Sequence, residues 1–591
     1  MSSPAADAPV AAVSRSARLL LTFAAVAVAF AAADTYVVVL ALPDMMSGAG
    51  LSSDQLQRAA PIVSGFLLGY VGALPLAGRI ADVRGRLPVL VGSLVIFAFG
   101  SLVTASAYDL SSMVTGRFLQ GVGGGGLVPA TLALVADLWP AERRGLPLGV
   151  VGAVQELGSV MGPLLGAAVL AVGDWRDIFW LNLAVALALA AGIAQIRQQA
   201  VDSDRSGAGR GFDVAGALLL AATVGCLSLV MLAPRSLVTD VTYGEAFLPV
   251  AGTSRWLTPI ALTAAVLLGL FVLRQLTASA PLVAWRTWPA TLGRTDPLGG
   301  LLLAIALGGI VLAFASAEPE VAVFAPAGPW LLAGAAVATA GFVWRQRRAA
   351  HPLVPLAAVA ARPAWGALVV SLLIGAALIA ALVDIPTFAR ITVYPNSQLD
   401  AALVLLRFLV ALPVGAVLGG WAVRRLSAAV LTAAGMLLAA VGFALMTSWN
   451  TESLATAWAT VPLVLAGLGF GIAIAPVNAA LLAATPADVH GIASALVVVA
   501  RMVGMLIGIS ALTTLGLRAF YAEARRIPDV TTLCPDSPTD CPAYGDALLQ
   551  AGITQLHTVF AGAAVVALLA AAAALVLLRG APGRSGGSVI S

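Results

Sequence analysis

The chain has 591 residues, of which 60% are hydrophobic and only 10% charged, with a mean hydropathy of +0.99 and a formal net charge of +4. That balance excludes an ordinary soluble domain and marks a polytopic membrane protein. The basic pI, about 9.2, does not argue for nucleic acid: the basic side chains are all Arg, they gather in loops between apolar stretches, and no stacking aromatics interleave them.

Spanning ~30 Å of hydrocarbon takes about 20 helical residues. In chain order, suitable apolar stretches lie near 17–42, 59–80, 88–107, 110–138, 147–172, 177–196, 214–234, 256–274, 297–316, 329–344, 363–385, 400–422, 427–447, 456–480, 489–516 and 556–579. The expected fold class is therefore all-α, with about sixteen transmembrane helices. The first stretch follows Arg15 and Arg18 as a secretory signal would, but its apolar run continues to Leu42, past any cleavage site, and reads as a span.

Arginine bias sets the expected orientation. Arg79, Arg84, Arg86, Arg143, Arg144, Arg197, Arg345, Arg347, Arg348, Arg424 and Arg425 all fall in loops on the side of the amino terminus, whereas the alternate loops hold far fewer. The positive-inside rule then places both termini in the cytoplasm of a bacterial inner membrane.

The first and fifth stretches each carry an acid. Asp34 stands in Ala33-Asp-Thr-Tyr-Val-Val-Val, and Glu156 stands among Gly149, Gly158, Gly162, Pro163 and Gly166. A charge at mid-bilayer costs roughly 2.5–3.5 kcal/mol on insertion scales, so such acids face a cavity and mark a proton or substrate path. The alternative for each is a structural hydrogen bond to an adjacent helix. Glycines at four-residue spacing let a neighbouring backbone approach closely, and a proline frees a backbone carbonyl, so the fifth helix suits a bending seal. Arg117, Arg407 and Arg501 are the intramembrane cations, with Asp34 and Glu156 as candidate partners. Arg407 and Asp384 lie near outer helix ends, where Arg407 can snorkel and Asp384 is expected to be interfacial; Asp137 is expected to support the inner end of the fourth helix.

A repeat occupies the middle of the chain. Phe212-Asp-Val-Ala-Gly-Ala-Leu-Leu-Leu-Ala matches Thr295-Asp-Pro-Leu-Gly-Gly-Leu-Leu-Leu-Ala, and Phe271-Val-Leu-Arg-Gln followed by Pro281 matches Phe342-Val-Trp-Arg-Gln followed by Pro352. Two tandem two-helix hairpins are expected between six-helix halves. The domains are then 1–200, a linker of two hairpins at 201–355, and 356–591. Of the three cysteines, Cys534 and Cys541 share the long outer loop and are expected to pair if the exterior is oxidising; Cys226 lies in an apolar segment, and the three histidines have no metal spacing. The outer loop, 517–556, reads as helical extensions that guide a lipid, dock a carrier, or simply cap the fold.

Three motifs carry a family resemblance. Gly78-Arg-Ile-Ala-Asp82-Val-Arg-Gly85-Arg86, in the loop after the second helix, resembles the loop signature of the major facilitator superfamily. Arg117-Phe-Leu-Gln120-Gly121 resembles its helix-four signature, in which a buried Arg assists proton transfer, and the glycines and Pro163 of the fifth helix resemble the signature of its drug:proton antiporter branch. Closer still, Asp34-Thr-Tyr-Val-Val-Val, Val135-Ala-Asp-Leu-Trp139, Asp174-Trp-Arg-Asp-Ile-Phe-Trp and His490-Gly-Ile-Ala-Ser-Ala-Leu-Val-Val-Val-Ala-Arg501 resemble the actinobacterial triacylglyceride and multidrug efflux transporters. Relatives of that kind have one linker hairpin, so the second copy here is an addition.

The resemblance implies two six-helix bundles working by alternating access, a proton-coupled exporter of triacylglyceride-like or other hydrophobic molecules, no cofactor, a monomer, and a periplasmic lipoprotein carrier. Multidrug efflux without a lipid role is the alternative, and a non-transporting receptor or scaffold a more distant one. An enzyme is not expected: the chain has no clustered catalytic set and no phosphate-binding loop.

Overall fold

The computed structural model describes residues 15–51, 56–140, 143–202, 213–278, 281–282, 285–315, 327–354, 359–395, 397–534 and 541–580. Every apolar stretch expected from sequence is helical. The first six helices are α1 (Arg15–Gly48), α2 (Leu56–Arg84), α3 (Arg86–Ala105), α4 (Leu110–Leu138), α5 (Gly145–Leu170) and α6 (Trp175–Asp202). The middle supplies α7 (Val214–Leu232), α8 (Pro259–Thr277), a short α9 (Trp288–Thr295), α10 (Pro297–Ala315) and α11 (Gly328–Arg348). The last six are α12 (Arg362–Ile391), α13 (Gln398–Ala422), α14 (Ala428–Met446), α15 (Thr460–Ala483), α16 (His490–Ala524) and α17 (Pro542–Leu577).

Among the described residues, thirteen helices are long and apolar enough to cross a membrane, or fourteen when the pair α9–α10, bent by 58°, counts as one span. The expectation of sixteen is thus approximate. The other two expected spans are α5 and α11, and the last turn of α11 carries Arg345, Arg347 and Arg348.

The two six-helix bundles pack by one plan. In the first, α4 lies against α2 and α3, and α1 against α5; in the second, α15 lies against α13 and α14, and α12 against α16. Corresponding glycines make the contacts. Gly158 and Gly162 of α5 bring that helix onto the backbone of Ala29 and Ala33, and Gly504 and Gly508 of α16 do the same at Leu372 and Ala376. Gly121 abuts the carbonyl of Phe66, and Gly467 that of Phe408. Such small-residue crossings allow backbone-to-backbone packing where no hydrophobic driving force separates helices from lipid.

The repeated hairpins are α7–α8 and α10–α11, and the duplication extends to their polar joints. Asp213 accepts from the Gly216 N–H at 3.0 Å, from Arg274 Nε at 3.0 Å and from Gln275 Nε2 at 3.0 Å. Asp296 accepts from the Gly299 N–H at 3.2 Å, from Arg345 Nε at 3.0 Å and from Gln346 Nε2 at 3.5 Å. The Asp caps the first helix while the Arg-Gln pair on the second reaches back to it, which fixes the two helices of each hairpin at their Arg-rich end. Most of α7 and α8 is exposed, as is usual for a helix pair facing lipid, and the pair is tied to the first bundle at its far end, where Arg255 lies over the Tyr108 ring and Trp256 donates to the Tyr108 hydroxyl at 3.2 Å. In contrast, Ala306, Leu307, Val311 and Ala313 of α10 are buried.

On the face opposite the Arg-rich side, α16 and α17 run on to 35 and 36 residues, beyond what a bilayer needs. Cys534, beyond the end of α16, and Cys541, which precedes α17, are disulfide-bonded. Cys226, on α7, is partly exposed rather than packed in a core.

Candidate functional site

Asp34 is 1% exposed, and Arg117 is the largest fully buried side chain among the described residues. Arg117 Nη1 donates to Asp34 Oδ2 at 2.5 Å and to Gln120 Oε1 at 2.9 Å. Asn182 Nδ2 donates to Asp34 Oδ1, Gln120 Nε2 reaches the same oxygen at 3.5 Å and Ser101 Oγ at 2.9 Å, and the guanidinium lies 4.5 Å from the Phe66 ring centroid. Helices α1, α3, α4 and α6 each contribute one or more of these groups. A buried pair so satisfied is tolerated; removing one member strands the other charge, at a cost of ~3–5 kcal/mol.

The second bundle lacks this network. Arg117 stands four residues before Gly121 and Gln120 immediately before it; Leu463 and Ala466 hold those places before Gly467. Asp34 follows Ala33, and Ala377 follows Ala376. Ala377, Leu463 and Ala466 are all fully buried. The same packing plan therefore carries a polar centre in one half and an apolar one in the other.

Glu156 occupies a different place. It lies between the bundles, in a cleft lined by Gln155, Glu156, Val151, Asn478, Val498 and Arg501, from α5, α15 and α16. Glu156 and Arg501 lie within electrostatic reach of each other and of Tyr70, yet no ion pair joins them. Arg501 stands three residues before Gly504 as Gln155 does before Gly158, so the acid and the cation meet on the pair of helices that correspond between the halves. The two acids thus serve two locations, Asp34 within one bundle and Glu156 across the seam.

The Arg-rich side is closed. Asp82, on the last turn of α2, accepts from the Gly491 N–H at 2.7 Å and the Ile492 N–H at 3.0 Å, so it caps the N-terminus of α16 across the bundle boundary. Gly78 allows the approach, since a Cβ there would stand 2.5 Å from the Gly491 carbonyl. Gly85, with φ +90, makes the turn that sends Arg86 back over the junction. Arg86 Nη2 lies 3.5 Å from Asp82 and donates to the Ala487 carbonyl at 3.2 Å; Arg86 Nε stands 3.0 Å from Asp137 without being aimed for a hydrogen bond. The corresponding seam between α5 and α13 is closed without charge: a Cβ on Gly145 or Gly149 would stand 2.5 Å from the carbonyls of Gly420 and Ala416.

Other expected residues fall elsewhere. Gly166 packs beside Val37 at ordinary distance, and the side chain of Pro163 lies outside the described residues. Arg407 is half-buried and donates to Thr460 Oγ1 at 3.2 Å, which removes it from both acids. Asp384 is buried, because it shares the inward stripe of α12 with Ala377, Ala381 and Phe388. Sequence reasoning did not single out Asn182, Ser101, Gln155 or Asn478 as site residues; a neutral polar side chain in an apolar run carries too weak a signal without its partners. The small-residue stripe of α16 was available to sequence, had its spacing been compared with that of α5.

A family model described as the Major Facilitator Superfamily matches residues 24–344. A triacylglyceride transporter of Mycolicibacterium hassiacum is 36% identical over 555 residues, covering 90% of this chain and 87% of its own. A triacylglyceride transporter of Mycobacterium tuberculosis is 37% identical over 518 residues, covering 85% and 83%. Among solved structures, the human organic anion transporter MFSD10 is similar in fold, with a TM-score of 0.50 at 15% identity, covering 94% of this chain and 99% of that one.

Proposed function

We propose that this chain, which belongs to the major facilitator superfamily, is a proton-coupled exporter of triacylglyceride-like lipids that works by alternating access between its two six-helix bundles. The single observation that carries this reading is the placement of Glu156 opposite Arg501 in the seam between the bundles, close but unbonded. A carboxylate that can pair with a cation across a moving boundary changes its interaction when the boundary moves, and protonation removes the pair. Support for the cargo comes from the similarity to mycobacterial triacylglyceride transporters along most of the chain.

In this reading the closed side is the cytoplasmic one, with both termini there and the membrane a bacterial inner membrane. Asp82 and Arg86 hold that side shut, and Asp34 with Arg117 provides a second proton-binding centre inside the first bundle. Protonation of Asp34 would free Arg117 from its main partner, loosening the junction of α1 with α4 and α6. The extension formed by α16 and α17 would hand the lipid to a periplasmic lipoprotein carrier, and the transporter would act as a monomer.

The test is flux in proteoliposomes under an imposed proton gradient, with fluorescent triacylglyceride and a cationic dye compared for the native chain, Glu156→Gln and Asp34→Asn. Lipid movement lost in both variants is the expected result. Dye movement without lipid movement would make the protein a multidrug pump, and undiminished flux in both variants would place coupling elsewhere.

A further inference from the structure

The two seams between the bundles are built alike but end in different surroundings. Along α2, no residue from Ile62 to Arg84 is exposed, and along α16 none from His490 to Leu506. The facing seam is bare: Val150, Leu157 and Met161 of α5, and Val414, Val417 and Leu418 of α13, are exposed. The cover over the first seam is α10, the leading helix of the second hairpin, which packs along α2 and also touches α16. Gly72 lies against Ala304, Gly300 against Leu76 and Gly308 against Leu68, so three turns of α10 follow three turns of α2. Among the described residues, no linker helix packs along α5 or α13.

The fastening continues on the Arg-rich side. Helix α9 packs on α2, Arg84 donates to Thr287 Oγ1, and its guanidinium lies 4.7 Å over the Trp288 ring. Arg84 sits two residues from Asp82, so the connector into the second hairpin is pinned beside the residue that closes the α2–α16 junction. The composition of α10 permits this placement. Its segment from Leu298 to Ala315 has no charged residue, and a helix apolar all round can be buried on one side while facing lipid on the other.

We infer that the second hairpin is a fixed wall over the α2–α16 seam, and that an apolar substrate dissolved in the bilayer enters or leaves only between α5 and α13. This rests on the reading of the cargo as a lipid. A water-borne cargo would have no use for either lateral seam, whereas a triacylglyceride can move from the hydrocarbon into the central cleft without crossing water. The wall makes that exchange one-sided. It also assigns a role to the added hairpin: α10 travels with α2, whatever α16 does.

The experiment uses the full chain in proteoliposomes that contain a photoreactive triacylglyceride analogue, with adducts mapped by mass spectrometry. Adducts on α5 and α13 exceeding those on α2 and α16 severalfold are expected. Equal labelling of the two seams overturns the wall while leaving the lipid reading intact. Loss of all adducts together with loss of lipid flux removes the lipid reading and the inference with it, and flux without adducts on α5 or α13 overturns the inference alone.

A second measurement does not depend on labelling. A Cβ on Gly72 would stand 3.4 Å from the Cβ of Ala304, close to disulfide geometry. Gly72→Cys with Ala304→Cys, in a Cys226→Ala background, should cross-link on oxidation with lipid flux unchanged. Flux abolished by the cross-link and restored by reduction would show that α10 must leave α2, and would overturn the wall.

Discussion

Asp82 on α2 accepts both leading amides of α16, from Gly491 and Ile492, and so ties one bundle to the other by a helix cap. The N-terminal partial charge of α16 is thereby neutralised by a residue that belongs to the opposite half. An intrahelical cap would be indifferent to motion of the bundles; this one would be lost if α2 and α16 separated on the Arg-rich side.

Asp82→Ala should therefore favour the state open on that side. A cap is typically worth ~1 kcal/mol, and charge adds to it, so the equilibrium should shift by roughly tenfold. Distances between spin labels on the inner ends of α2 and α16 would report it. An unshifted distance distribution would mean that Asp82 does not hold the closed state.

Arg117→Ala should cost about 3–5 kcal/mol of stability, since Asp34 would be left ionised and buried. Asp34→Asn combined with Arg117→Ala should recover a large part of that loss, because an amide can share hydrogen bonds with Gln120 and Asn182. Thermal unfolding in detergent across the double-mutant cycle gives the coupling. Additive losses would mean that the pair is not coupled.

Gly158→Ala and Gly504→Ala should be equally damaging. Cβ atoms there would stand 2.6 Å from Ala29 Cα and 2.7 Å from the Leu372 carbonyl carbon, backbone atoms that cannot step aside. Overpacking of this kind costs ~1–3 kcal/mol. A melting-temperature loss confined to Gly158→Ala would contradict the equivalence of the two helix crossings.

The clasp at the base of the first hairpin should survive mild acid. The Gly216 N–H, followed by Arg274 and Gln275, holds the Asp213 carboxyl below its ordinary value of 3.8. A carboxylate depressed in the folded state contributes its stabilisation above the unfolded value and loses it as pH falls through the folded one. Hydrogen exchange at the Gly216 amide should thus stay slow down through pH 3.8 and quicken only below it. Asp213→Asn should abolish that pH dependence.

Much of this protein was legible in its amino acids alone. The helices were, because a segment in hydrocarbon must satisfy every backbone amide within itself, so length and hydropathy suffice to find it. So were Asp34, Arg117, Glu156 and Arg501, because a charge inside an apolar run is conspicuous, and so was the duplicated hairpin, whose Asp and Arg-Gln joints recur at matching places. Which acid answers which arginine was decided only by the tertiary structure. Arg117 turns to Asp34 through α1 meeting α4, while Arg501 faces Glu156 without bonding to it, and Arg407 turns away to Thr460. The burial of Asp384 in the inward stripe of α12 was decided in the same way, since depth along a helix is written in the sequence but the direction a side chain faces is not. The one-sided cover by α10 is likewise a tertiary fact: two hairpins with the same polar joints lie against different neighbours, and an apolar helix carries no signal that says which neighbour it will choose.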